Sequence, residues 1–178
     1  VHESIAVTPG GTSAGSHEAR VINPFKAVKR VKALSKKLKG VNLLEIDSLI
    51  KDEPGNVSTP ISMAVQRLIA KHKGLQLHEL YGGKTLPIPF MNVINGGLHA
   101  GNELSFQEYM IAPLSKTFTE SVMMGVEVYQ ALKDYLRQEY GPSAINVGLE
   151  GGFAPPLKNV EEPLKILTKV LKDLGYSE

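Results

Sequence analysis

One stretch decides the fold of this chain: Phe90-Met91-Asn92-Val93-Ile94-Asn95-Gly96-Gly97. The segment 87–94 is nearly all apolar, which is typical of a strand buried on both faces of a parallel sheet. It runs into a glycine-rich loop. A second such segment, 144–148, runs into Leu149-Glu150-Gly151-Gly152 after an intervening helix. Strands that alternate with helices predict an α/β fold.

Apolar residues at helical spacing predict four longer helices around these strands. Each begins near a polar capping residue, and most end near a glycine. Their predicted ranges are 23–39, 59–74, 117–140 and 160–174, with a short helix over 43–50. Residues 1–8 are predicted as a strand and residues 9–15 as a loop, because Pro9–Gly15 is rich in residues that favour turns.

Composition excludes several classes of protein. The chain has 178 residues, of which 42% are hydrophobic and 21% charged, as in ordinary soluble domains. It has no cysteine, which excludes disulfides, thiolate metal sites and a cysteine nucleophile. No apolar run approaches the ~20 residues of a membrane helix, so we expect a cytoplasmic protein without a membrane partner. Helices dominate before residues 82–87 and strand–loop–helix units follow, which predicts two regions, 1–84 and 85–178.

Positive charge is concentrated near the amino terminus. Residues 1–40 carry eight basic and two acidic side chains, and every lysine of this stretch lies on helix 23–39. Such a helix could bind nucleic acid or an anionic surface. However, its apolar face is continuous and Phe25 is its one aromatic residue, which favours a solvated outer face. Nucleic acid is therefore not expected as a partner.

Ionisable side chains follow both predicted strands. His99, Gln107 and Glu108 lie in the loop after the first strand, and Glu150 lies in the loop after the second. Ligand sites of α/β proteins form beyond the carboxyl ends of strands, so we expect Glu108 and Glu150 to lie together, at one end of two adjacent parallel strands, with His99 nearby. Two neighbouring carboxylates can share a proton, and one can then act as a general acid. The alternative is that both are solvated loop residues.

Two stretches carry a resemblance to a known family. Residues 92–113, Asn-Val-Ile-Asn-Gly-Gly-Leu-His-Ala-Gly-Asn-Glu-Leu-Ser-Phe-Gln-Glu-Tyr-Met-Ile-Ala-Pro, closely resemble the signature of enolase, the phosphopyruvate hydratase of glycolysis. Residues 146–155, Asn-Val-Gly-Leu-Glu-Gly-Gly-Phe-Ala-Pro, are similar to the family's second active-site stretch. Residues 1–84 resemble the family's amino-terminal domain more loosely. The resemblance implies a helical amino-terminal region, followed by the first βα units of an enolase-type TIM-like barrel that is incomplete in this chain.

The resemblance also implies an activity. Enolases dehydrate 2-phosphoglycerate, a phosphorylated hydroxy acid, to phosphoenolpyruvate, using a lysine base, two Mg²⁺ ions and a glutamate that assists departure of the hydroxyl. By position, Glu150 matches this acid and Glu108 its carboxylate partner. Gln107 and His99 match residues that bind the substrate. The family's lid loop, which holds the second metal, corresponds to Pro9–Gly15.

Departures from the family pattern limit this expectation. Gly10 replaces a metal-binding serine, and Leu149 replaces an aspartate beside the acid. No residue here matches the three Mg²⁺ carboxylates or the lysine base, so we expect no metal ligands and no activity in this chain alone. The alternative is a non-catalytic enolase-like binding protein or subunit. Two strands cannot close a barrel and would leave apolar surface exposed, so we expect self-association or a missing segment.

Overall fold

The computed structural model describes residues 2–7 and 19–176, and the predicted loop 9–15 therefore lies outside the described residues. The described chain divides into two compact units, one ending at Thr85 and the other beginning at Leu86. No helix among the described residues is long and apolar enough to cross a membrane.

The first unit is helical. Its helices are α1 (Pro24–Leu38), α2 (Ile46–Ile50), which follows a 3₁₀ turn at Leu43–Glu45, α3 (Gly55–His72) and the single-turn α4 (Leu77–Leu80). Helices α1 and α2 both pack on α3, which places its apolar side chains between them. The buried side chains at these contacts are Ala27, Leu34, Ile46, Ile50, Val57, Val65 and Ile69.

Two predictions for this unit were wrong. Helix α3 begins at Gly55 and not at residue 59, so that Pro60 lies inside the helix. The side chain of Asn56 explains the earlier start, because it accepts from the Ile22 N–H and donates to the Ile22 carbonyl, which anchors the first turn from outside. Residues 2–7 form no strand, since they contact a helix: the Ser4 hydroxyl donates to the Ala64 carbonyl.

The second unit contains the sheet. Strand β1 (Met91–Asn95) pairs antiparallel with β2 (Glu108–Ile111), so that Asn95 faces Glu108 and Met91 faces Ile111, with an irregularity between Asn92 and Ile94. Two helices follow, α5 (Phe118–Tyr140) and α6 (Glu162–Asp173). The prediction that segments 87–94 and 144–148 form two adjacent parallel strands was therefore wrong, because the strand beside β1 is β2, which runs antiparallel to it.

The predicted strand over 144–148 was also wrong. Residues Pro142–Ile145 form a 3₁₀ turn, and Phe153 makes only isolated bridges, parallel to Ile94 and antiparallel to Val147. The chain reverses too soon for a ladder, since the Gly148 N–H donates to the Gly152 carbonyl at 2.8 Å. Helix α5 begins at residue 118, as the capping box of Thr117 and Glu120 predicts.

The core of the second unit lies between the small sheet and the two helices. Leu132 and Leu136 of α5 are fully buried against side chains of β1 and α6, including Ile94, Ile166 and Val170. The Phe153 ring stacks on Tyr129 with centroids 4.3 Å apart. A helical unit followed by helices on a small open sheet is a mixed α/β architecture, consistent with an incomplete barrel. The predicted fold class is therefore confirmed.

Candidate active site

The loop after β1 is held close to the strand that follows it. Gly96 donates its N–H to the Gln107 carbonyl at 2.9 Å, and Gly97 donates to the Leu104 carbonyl at 2.7 Å. A methyl group at residue 96 would lie 2.6 Å from the Leu104 Cβ and closer still to the Phe106 carbonyl oxygen. Only glycine fits this approach, which places His99, in a short 3₁₀ turn, beside the start of β2.

The loop that carries Glu150 is tied to the first loop by its backbone. The Leu149 N–H donates to the His99 carbonyl at 3.0 Å. A methyl group on Gly148 would come within 2.5 Å of the same carbonyl oxygen and 2.8 Å of the Asn95 Cβ. Because glycine allows this contact, Glu150 reaches the side chains of His99 and Glu108 although the predicted strand over 144–148 does not form.

Four side chains that the sequence singled out meet at this point. His99 is buried, with 2% of its surface exposed, and its Nδ1 lies 3.2 Å from the Glu150 Oε2. The Gln107 amide nitrogen lies 3.1 Å from Nδ1 and 2.5 Å from Nε2 of the same ring. Glu108, at the beginning of β2, has a carboxyl oxygen within 4.8 Å of both the His99 ring and the Glu150 carboxyl. The arrangement joins a carboxyl pair to a buried imidazole.

The electrostatics of the pair favour a retained proton. The pKa of Glu108 is raised above its ordinary value, chiefly because its carboxyl hydrogen-bonds to Glu150, and further by desolvation and by the Glu150 charge. His99 acts in the opposite direction and lowers the pKa of Glu108. A carboxyl group that keeps its proton to a higher pH than usual can serve as a general acid.

Three asparagines support the site, and sequence reasoning gave them no role. Asn92 on β1 donates to the Glu150 Oε2 at 3.4 Å. The Asn102 amide donates to the Asn95 carbonyl at 2.9 Å and to the Pro155 carbonyl at 3.0 Å, and so joins the two loops. Asn95 is fully buried beneath Gly148 and Gly152. The sequence does give a signal for two of them: Asn92 lies inside the apolar strand, and Asn95 lies at its end.

One group of side chains could hold a metal ion. Ligand atoms of His99, Glu108 and Glu150 all lie within 4.8 Å of one another. However, Mg²⁺ prefers an octahedral shell of oxygens, and one of the three groups here offers an imidazole nitrogen instead. These residues therefore do not form a magnesium site by themselves.

Comparison with known proteins decides the family. The family model described as "Enolase, C-terminal TIM barrel domain" matches residues 83–178. The chain belongs to the enolase family. Enolase of Methanopyrus kandleri is 40% identical over an alignment of 199 positions, which covers 97% of this chain and 47% of that protein. Enolase of Aeropyrum pernix is 40% identical over an alignment of 197 positions, which covers 96% of this chain and 46% of that protein. The chain thus spans about half the length of the curated relatives that it matches.

Proposed function

We propose that this chain supplies the acid side of the enolase reaction, the dehydration of 2-phosphoglycerate to phosphoenolpyruvate. The observation that carries the proposal is the grouping of Glu108, Glu150 and the buried His99, whose ligand atoms lie within 4.8 Å of one another. All three occupy positions that the family resemblance assigns to active-site residues. Because enolases are enzymes of glycolysis, we also propose a cytoplasmic location for this protein.

The pair provides the proton that the leaving group needs. When the bond between the β-carbon and the hydroxyl oxygen breaks, the electron pair leaves with the oxygen, and a proton must be added to form water. In our proposal Glu150 donates this proton, and Glu108, whose raised pKa keeps a proton in the pair, reloads it. His99 and Gln107 orient the substrate, since Gln107 is itself held against the imidazole ring.

The remaining half of the reaction requires groups outside this site. In the family, Mg²⁺ stabilises the charge that develops on the substrate carboxylate, and a lysine removes the α-proton. No residue of this chain matches those ligands or that base. We therefore propose that the 178 residues alone form no phosphoenolpyruvate. Turnover above background that EDTA abolishes would contradict this.

A chimera tests the positive part of the proposal. The 178 residues are fused to the part of the M. kandleri enolase that follows its matched segment. We expect turnover of 2-phosphoglycerate with Mg²⁺, and a loss of at least about a hundredfold in kcat in the Glu150→Gln variant. A folded chimera whose activity is unchanged by this substitution would refute the acid role of Glu150.

We propose that residues 1–84 are part of an enolase-like amino-terminal domain and residues 85–178 the beginning of the barrel. Support comes from the relatives, which match 97% of the chain, and from the family model, which begins at residue 83. Apolar side chains are exposed in the second unit, among them Leu98, Phe106, Met110, Val147 and Leu149. Exposed surface of this kind favours association, so we propose that the chain self-associates. A monodisperse monomer in sedimentation over a tenfold concentration range would contradict this.

A non-catalytic binding protein is the second candidate. It is favoured by Leu149, whose exposed apolar side chain stands beside the proposed acid where the family resemblance expects an aspartate. Calorimetric titration of the chimera with Mg²⁺ and a phosphoglycerate analogue separates the two candidates. Binding without turnover supports this second function, whereas turnover supports the enzyme.

A further inference from the structure

A row of side chains runs along the outer face of helix α1. Ala27 and Leu34 are buried and fix which side of the helix faces the core. Phe25, Lys29, Lys32 and Lys36 repeat at steps of four, three and four residues, so they lie in one line on the opposite side. All four are exposed. With a rise of 1.5 Å per residue, the row is about 16 Å long.

The positive charges of this row have no acidic partners. Among the described residues, no acidic side chain forms an ion pair with Lys29, Lys32 or Lys36. By contrast, Arg30 of the same helix is held by Glu53 through two hydrogen bonds of 2.7 and 2.6 Å. Unpaired lysines in a row create a local positive potential that attracts a chain of negative charges.

Two lysines of helix α6 do have acidic partners, so unpaired lysines are not the rule in this chain. Lys165 pairs with Glu161 at 3.1 Å, and Lys169 pairs with Asp173 at 2.8 Å. Lys165, Lys169 and Lys172 have nearly the same spacing as the lysines of the α1 row. The second unit therefore contains a set of three similarly spaced lysines, two of which have acidic partners.

An exposed aromatic ring stands at one end of the row. Phe25 is 81% exposed, directly after the capping residue Asn23 and Pro24. An exposed phenyl ring contributes little to the stability of the fold, but it offers a flat apolar face on which a nucleobase can stack. A single-stranded nucleic acid presents both complementary features, phosphates at regular intervals and unpaired bases.

We propose that the outer face of α1 binds single-stranded nucleic acid without sequence preference. Lys29, Lys32 and Lys36 contact successive phosphates, and Phe25 stacks on a base at the end of the contacted segment. An anionic membrane fits less well, because α1 turns its apolar stripe to the core and leaves only Phe25 and Val28 to enter a bilayer. This inference is independent of the enolase site.

Fluorescence anisotropy of a labelled single-stranded 12-mer, with the purified chain, tests the proposal. Neutralising three phosphates predicts a slope of about −2 for the logarithm of affinity against that of salt concentration, or about a fifteenfold loss between 50 and 200 mM. We expect the variant K29Q/K32Q/K36Q to bind at least about tenfold more weakly and Phe25→Ala about fivefold or more. The matched variant K165Q/K169Q/K172Q loses the same charge and should bind as the unmodified chain does.

Each other outcome overturns the proposal. Absence of binding at 50 mM salt refutes the site, and equal losses in the two triple variants show attraction by net charge alone. If a duplex of the same length binds as tightly, and Phe25→Ala has no effect, the face does not select single strands. If vesicles of anionic lipid bind the chain and the oligonucleotide does not, the partner is a membrane surface. Circular dichroism of every variant checks that α1 remains folded.

Discussion

Substitution of Gly96 by alanine tests how tightly the two loops of the site are packed. The added methyl group would lie 2.6 Å from the Leu104 Cβ and even closer to the Phe106 carbonyl oxygen. Neither neighbour is the flexible end of a side chain, so the backbone itself must move. Overpacking costs about 1–3 kcal/mol. Movement would also weaken the hydrogen bond from Gly96 to the Gln107 carbonyl, which adds about 1 kcal/mol.

We therefore expect Gly96→Ala to lower the free energy of unfolding by about 2–4 kcal/mol. Urea unfolding, followed by circular dichroism, measures it. Gly101→Ala is the matched control, because a methyl group there meets nothing within 4 Å. It should leave stability unchanged or raise it by up to about 1 kcal/mol. Equal stability of the two variants would refute the close approach of the loops and with it the placement of His99 beside Glu108.

Three further substitutions test separate parts of the account. Glu108 has a raised pKa in the folded chain, so the stability that its bound proton gives is present below about pH 4, the unfolded value, and is lost as the pH rises through the raised value. Glu108→Gln should remove this fall in stability, measured as the urea midpoint between pH 4 and 8. Urea midpoints that change with pH in the same way in both proteins would contradict this. Leu132→Ala empties a fully buried position and should cost about 2–5 kcal/mol in urea unfolding, whereas a cost below 1 kcal/mol would show a loose core. Thr117→Ala removes the cap that accepts from the Glu120 N–H and should cost about 1 kcal/mol, with no loss if the start of α5 is frayed.

Sequence reasoning succeeded where local signals decide the structure. Helices α1 and α5 begin and end within one residue of the predicted ranges, because each has a capping side chain and a regular apolar stripe. The start of α3 was missed, since its first turn is held by contacts of Asn56 with Ile22, 34 residues away. The strand predicted over 144–148 was wrong for the same kind of reason: its apolar residues suit a strand, but the turn at Gly148 allows only isolated bridges.

The candidate site shows the same division. His99, Glu108 and Glu150 could be selected because they are ionisable residues in loops that follow apolar strands. The contribution of Asn102 could not, because its amide matters only through two carbonyl groups, one of them 53 residues away in the chain. Likewise, the lysines of α1 looked solvated from sequence alone, and the absence of ion pairs among the described residues became visible only in the structure.

The central claim is that Glu108 and Glu150 share a proton, and carbon-13 NMR of glutamate side-chain carboxyls tests it most directly. The chain is labelled at glutamate Cδ and titrated, and Glu108→Gln and Glu150→Gln assign the two resonances. We expect Glu108 to keep its proton to a pH above the ordinary glutamate value, because its pKa is raised by the neighbouring Glu150. In Glu150→Gln the Glu108 resonance should change its titration midpoint. A Glu108 titration at the ordinary glutamate value, unchanged by Glu150→Gln, would contradict the claim.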